Sequence, residues 1–154
     1  MKSIETAIRN NPFFHGLDEN YLDFIIRSAV NARFKAGDYV FREGENADKF
    51  FVIVEGKMHL GAFKPDGSET VIMSPSSADI VGWSWLIPPF RWHIDAKVSE
   101  ETKLVVINAK SIRAKFSEDT RLGYELLRRF FPIMEQRLNA AYFQAFQPFK
   151  NLNS

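Results

Sequence analysis

Three of this chain's residue types that grip ligands are packed into one stretch, Gly82-Trp83-Ser84-Trp85-Leu86-Ile87-Pro88-Pro89-Phe90-Arg91-Trp92-His93, which holds all 3 of its tryptophans. An indole offers a flat apolar face and a single N–H donor, so it can wall a pocket but cannot accept a hydrogen bond. Arg91 adds a fixed cation able to pair with an anionic oxygen or to stack on Trp92, a contact worth roughly 0.5–2 kcal/mol. Gly82, Trp83, Ser84 and Trp85 form the candidate turn of a small-ligand site. Arg91, Trp92 and His93 form its opposing strand edge.

Other chemistries find less support. Gly82-Trp83-Ser84-Trp85-Leu86 imitates half of a G-x-S-x-G nucleophile elbow, but the second glycine is missing and the surroundings are β-rich. His15, His59 and His93 lie in separate segments with no H-x-H pair, which argues against a metal centre, as does the absence of cysteine. His93 and Asp95, two apart on a predicted strand, would share a face and hydrogen-bond locally rather than catalyse. No enzyme is expected.

The elements that must position these residues follow from the pattern of the chain. With 154 residues, 45% hydrophobic and 25% charged, it has the size and texture of one soluble domain. A net charge of +1 gives no bulk reason to expect a nucleic acid or membrane partner. No apolar leader opens the sequence and no run nears a membrane span, so the expected location is cytoplasmic.

Residues 1–29 read as N-terminal helices, interrupted at Pro12, with Asp18 as the N-cap of the second. Residues 30–107 carry short Val-, Ile- and Phe-rich runs between Gly, Pro, Asp and Ser, the texture of a sandwich or roll. Phe50–Val54 is a strand buried on both faces, and Glu55-Gly56-Lys57 turns it into Met58–Phe63, with Met58, Leu60 and Ala62 on one face. Pro65-Asp66-Gly67 is the next turn, and Thr70–Met73 pairs back. Strands over His93–Val98 and Lys103–Ile107 complete this part.

Residues 108–147 are helical again. Asn108 caps a short helix and Ser117 a long one, on which Leu127, Phe130, Met134, Leu138, Ala141 and Ala145 make one stripe. Pro132 should kink that helix or split it near Arg128. Arg128, Arg129 and Arg137 read as its solvated face.

Three motifs resemble a known family: Asn11-Pro-Phe-Phe-His-Gly-Leu17, Phe34-Lys-Ala-Gly-Asp-Tyr-Val-Phe-Arg-Glu-Gly-Glu45, and Ala47-Asp-Lys-Phe-Phe-Val-Ile-Val-Glu-Gly56. In type and order they are similar to the cyclic-nucleotide-binding domain of catabolite-activator-like regulators, kinase regulatory subunits and gated channels. The resemblance implies a mainly β fold with flanking helices, a double-stranded β-helix or jelly roll of about eight strands ahead of a long C-terminal helix. It also implies a regulatory module with cAMP or cGMP as a candidate ligand, signalling through that helix to a protein effector or across a homodimer.

The family's phosphate cassette reads G-E-x-[AG]-L, followed by R-[SA]-A. Gly82 and Leu86 fit its frame, but Trp83 stands in the glutamate's place. The arginine's place falls on Trp92 or His93, with Arg91 one or two residues early. A different small ligand, or a pocket filled by indoles, are the alternatives. After the long helix only Pro148–Ser154 remain, too few for a recognition helix, so no direct DNA contact is expected.

Overall fold

The structure, a computed structural model, describes the backbone of residues 3–152 and the side chains of residues 3–146. Met1, Lys2, Asn153 and Ser154, the ends of the expected single domain, lie outside the described residues, as do the side chains of residues 147–152.

Local signals set the first elements. The Ser3 side chain accepts from the Thr6 amide and starts α1 (Ile4–Arg9). A 3-10 turn at Pro12–Phe14 follows, and Asp18 caps α2 (Glu19–Arg27) by accepting from the Asn20 amide at 2.9 Å. The chain then leaves the helix sooner than its composition suggests. Ala29 already begins β1 (Ala29–Phe34). Next come β2 (Tyr39–Phe41), β3 (Lys49–Glu55), β4 (Met58–Phe63), β5 (Glu69–Met73), β6 (Ile80–Val81), β7 (Asp95–Val98) and β8 (Thr102–Asn108).

These strands make two antiparallel sheets, one in the order β1-β8-β3-β6 and the other β2-β7-β4-β5. Together they form the expected jelly roll, whose inner faces meet in an apolar core. At its centre Phe50 to Ile53 of β3 are all buried, as are Leu104 to Ile107 of β8 beside them.

Two local expectations need correction. In β4 the pairing with β5 shifts register between Leu60 and Gly61, and this resets the side-chain alternation. Met58 and Leu60 point inward as expected, but Ala62 is exposed while Gly61 and Phe63 are buried. His93 lies outside β7, so it does not share a strand face with Asp95. The buried Asp95 carboxylate instead accepts from the Glu43 amide at 2.8 Å and the Phe63 amide at 3.2 Å, with Arg42 Nε at 3.4 Å.

Asn108 caps α3 (Ala109–Arg113) through the Ser111 amide. The long helix, α4, runs from Thr120 to Leu152 and is capped by Asp119, not Ser117. Asp119 accepts from the Leu122 amide at 3.2 Å and from the Tyr21 hydroxyl at 2.8 Å. Pro132 does not split α4, which continues unbroken past Arg128. Leu122, Leu126 and Phe130 sink into the roll, while Tyr124, Phe131, Leu138 and Tyr142 stay exposed. The core-facing stripe is therefore rotated from the one drawn through Leu127 and Leu138. No helix among the described residues is long and apolar enough to cross a membrane.

Candidate functional site

Gly82 follows β6 with φ +99°, a conformation L side chains rarely adopt. It redirects the chain into a single 3-10 turn, Ser84–Leu86, closed by the Leu86 amide donating to the Trp83 carbonyl at 3.0 Å. The segment after it is fastened to the β2–β3 connection. The Ala47 amide donates to the Phe90 carbonyl at 2.7 Å, and the Trp92 amide to the Glu45 carbonyl at 3.0 Å. From behind, Arg113 of α3 donates to the Trp85 carbonyl at 2.7 Å and lies 3.8 Å over the Phe90 ring. Backbone bonds on one side and the Arg113 side chain on the other thus fix this turn.

That frame sends the tryptophans to different places. Trp85 is fully buried, stacked on Phe50 at 5.4 Å and edge-on to Phe130 at 5.6 Å, and so joins the roll to α4. Trp92 lies flat on Phe41, with centroids 3.9 Å apart and planes 13° from parallel. Trp83 is half-buried. Trp83 and Trp92 border one cavity of about 390 Å³ between the second sheet, the cassette turn and α4. The size suits a small organic molecule.

Phe41, Leu60, Ile72 and Met73 line the cavity from the sheets, and Ser84, Ile87, His93 and Ile94 from the cassette side. Met134, Arg137, Leu138 and Ala141 of α4 close it.

Of the seven residues singled out in the sequence, Trp83, Ser84, Trp92 and His93 therefore meet at one cavity. Gly82 shapes the turn behind Trp92. Trp85 is outside the lining and belongs to the core. Arg91 is also outside, its guanidinium donating to the Gly44 carbonyl at 2.9 Å. The three histidines stay apart: His59 bonds Ser74, the His15 carbonyl accepts from Arg129, and His93 is at the cavity.

The cation at the cavity is Arg137. It shares α4 with Arg128 and Arg129, but the three do not form one solvated face. Arg128 is exposed and bonds Glu125, whereas Arg129 is tucked in between Glu125 and the His15 carbonyl. Arg137 has no hydrogen bond or ion pair to any of the described residues, and burial in apolar surroundings pulls its guanidinium down to about 10. A second unpaired donor is Trp83 Nε1, buried with no acceptor; Trp85 Nε1 is the same, but in the core. No carboxylate lines the cavity. Sequence reasoning missed Arg137, although a charge one turn from Met134 and Ala141 on an apolar face was a usable signal.

Comparison with known proteins agrees with this architecture. The sequence profile of the cyclic nucleotide-binding domain matches residues 32–119. The chain belongs to this family. It is 26% identical to a Geobacter metallireducens GS-15 protein described as a cyclic nucleotide-binding protein. That crystal structure superposes with a TM-score of 0.77 over 90% of this chain and 99% of the other. The sensor domain of the transcriptional regulator DNR from Pseudomonas aeruginosa shares the fold, with a TM-score of 0.69 at 19% identity over 88% of this chain and 91% of that one.

Among curated proteins, the CRP-like cAMP-activated global transcriptional regulator of Mycobacterium tuberculosis is 24% identical over 75% of this chain and 51% of its own length. The cAMP-dependent protein kinase regulatory subunit of Dictyostelium discoideum is 31% identical over 46% of this chain and 21% of its own. The chain spans about half the length of the first of these relatives and less of the second. The domain is a regulatory module of the cyclic-nucleotide-binding type, and the relatives it matches are regulators by name.

Proposed function

We propose that this domain is a sensor that admits a small ligand between the roll and α4 and passes its occupancy along α4 to a second copy of the chain or a protein effector. The observation that carries this reading is the cavity itself. Trp83 and Trp92 wall it rather than fill it, and one whole side is α4. A ligand there touches sheet, cassette and helix together, so its affinity depends on where α4 lies. Differential affinity of that kind is what shifts a two-state equilibrium. The domain works by binding, without a catalytic step. Trp83, Ser84, Trp92 and His93 are its contact residues on the roll.

The outer face of α4 supports the dimer. Tyr124, Phe131 and Leu138 are exposed and recur every seventh residue, the spacing of a two-helix seam. Leu138 belongs to that seam and also lines the cavity, so occupancy and pairing share one side chain.

Calorimetric titration with cAMP and cGMP, followed by a thermal-shift screen of small metabolites, tests the reading. A saturable ligand whose binding is weakened by Trp83→Ala, and which alters amide exchange across residues 120–146, is the expected result. Binding that leaves exchange in α4 unchanged, or a screen yielding no ligand, overturns it.

A further inference from the structure

Arg137 is the feature that the family's motifs do not account for. Arg137 borders an apolar cavity, and its guanidinium has no ion-pair or hydrogen-bond partner among the described residues. An unpaired cation in such surroundings is expensive, and the depressed value of about 10 reflects that cost. The carboxylate nearest in kind is Asp79, which borders a smaller neighbouring cleft that Arg137 also touches. Its Oδ2 accepts from the Ser76 amide at 2.8 Å.

The other polar side chains lining the cavity, Trp83, Ser84 and His93, are donors or can act as donors. Nothing acidic is there to receive ribose hydroxyls or a cationic ligand. Flat aromatic walls together with one planar, unpaired cation suit a planar apolar body with a negative group at one end.

We propose that the ligand of this cavity is an aromatic carboxylate, its rings between Trp83 and Trp92 and its carboxylate paired with Arg137 of α4. The anion is thereby held by the signalling helix instead of the cassette. Pairing draws α4 toward the roll and removes the unsatisfied charge. This rests on the ligand-sensing function proposed for the cavity, and the test separates the two.

The full chain is titrated with 1-naphthaleneacetate and with the neutral 1-naphthaleneacetamide, by calorimetry and by tryptophan fluorescence, as wild type, Arg137→Gln and Arg137→Lys. Circular dichroism melts establish that each variant is folded. The acid is expected to bind wild type at least about tenfold more tightly than the amide, the scale of a charged hydrogen-bonded pair. Arg137→Gln is expected to abolish that preference with the amide unaffected, and Arg137→Lys to keep part of it. Equal binding of acid and amide, or a preference surviving Arg137→Gln, overturns the anion assignment but leaves a ligand cavity in place. Binding of neither compound overturns the aromatic-carboxylate assignment and leaves the sensor to be decided by the cyclic-nucleotide titration and the metabolite screen. Tight cAMP binding indifferent to Arg137→Gln overturns the assignment while supporting the sensor.

Discussion

Replacing Gly82 by alanine probes the turn that builds the cavity wall. A Cβ at this position would sit 2.8 Å from Trp92 Cη2 and 3.2 Å from Cζ3. The indole cannot easily yield, because it is buried and stacked on Phe41 at 3.9 Å. Two costs add. Holding alanine at φ +99° costs roughly 1–2 kcal/mol. Overpacking against the indole costs about 1–3 kcal/mol more. Gly82→Ala should therefore lower stability by about 2–5 kcal/mol. Trp92→Phe removes the ring atoms that meet the new methyl, so in that background only the backbone part, roughly 1–2 kcal/mol, should remain. The assay is a double-mutant cycle in guanidinium, followed by far-ultraviolet ellipticity. A coupling below about 0.5 kcal/mol would mean that the indole does not confine Gly82, and would refute the reasoning.

Phe131, exposed and outside the cavity, tests the seam: Phe131→Glu should turn a dimer into a monomer in sedimentation while leaving ligand binding by the monomer intact. A wild type that stays monomeric at tens of micromolar removes the seam. Asp95→Ala should destabilise by about 1–3 kcal/mol for each amide left without an acceptor, at Glu43 and Phe63, with Asp95→Asn milder; equilibrium denaturation reads both. Hydrogen bonds from Arg128 and Arg129 lower the Glu125 carboxyl from 4.5 to about 2. Its stabilising contribution is thus complete above about pH 4.5 and disappears as pH falls toward 2, so the Tm gap between wild type and Glu125→Gln should close over that window.

What could be foreseen in this chain was what neighbouring residues decide among themselves. Asp18 and Asn108 are caps because a short polar side chain reaches an amide two or three residues on, and that geometry needs no tertiary information. The run Phe50–Val54 is central because nothing so apolar belongs at a surface. Ser117 was a reasonable cap by type, but a further turn carries the chain to Asp119, whose carboxylate also holds Tyr21 of α2. The phase of Ala62 was lost to a register shift imposed by a partner strand. At the site, composition located the turn but could not assign sides. Trp83 and Trp92 face a cavity while Trp85 faces the core, because Gly82 and a 3-10 turn rotate the chain between them. For Arg137 the sequence offers only a charge one turn from apolar residues; its place at the cavity comes from packing α4 across the second sheet.

One feature of α4 bears on how movement would spread along it. Near its start the helix is embedded through Phe130 in a knot of rings, whereas further on Gln144 is tied to β5 by an exposed bond to the Val71 carbonyl at 3.0 Å. Such a beam is clamped at its root, with Gln144 pinned further along. At about 1.5 Å per residue, Arg137 stands roughly 10 Å from the clamp and Gln144 roughly 21 Å. A displacement of α4 at Arg137, in either direction, is therefore about doubled at Gln144, where it bears on the bond to the Val71 carbonyl.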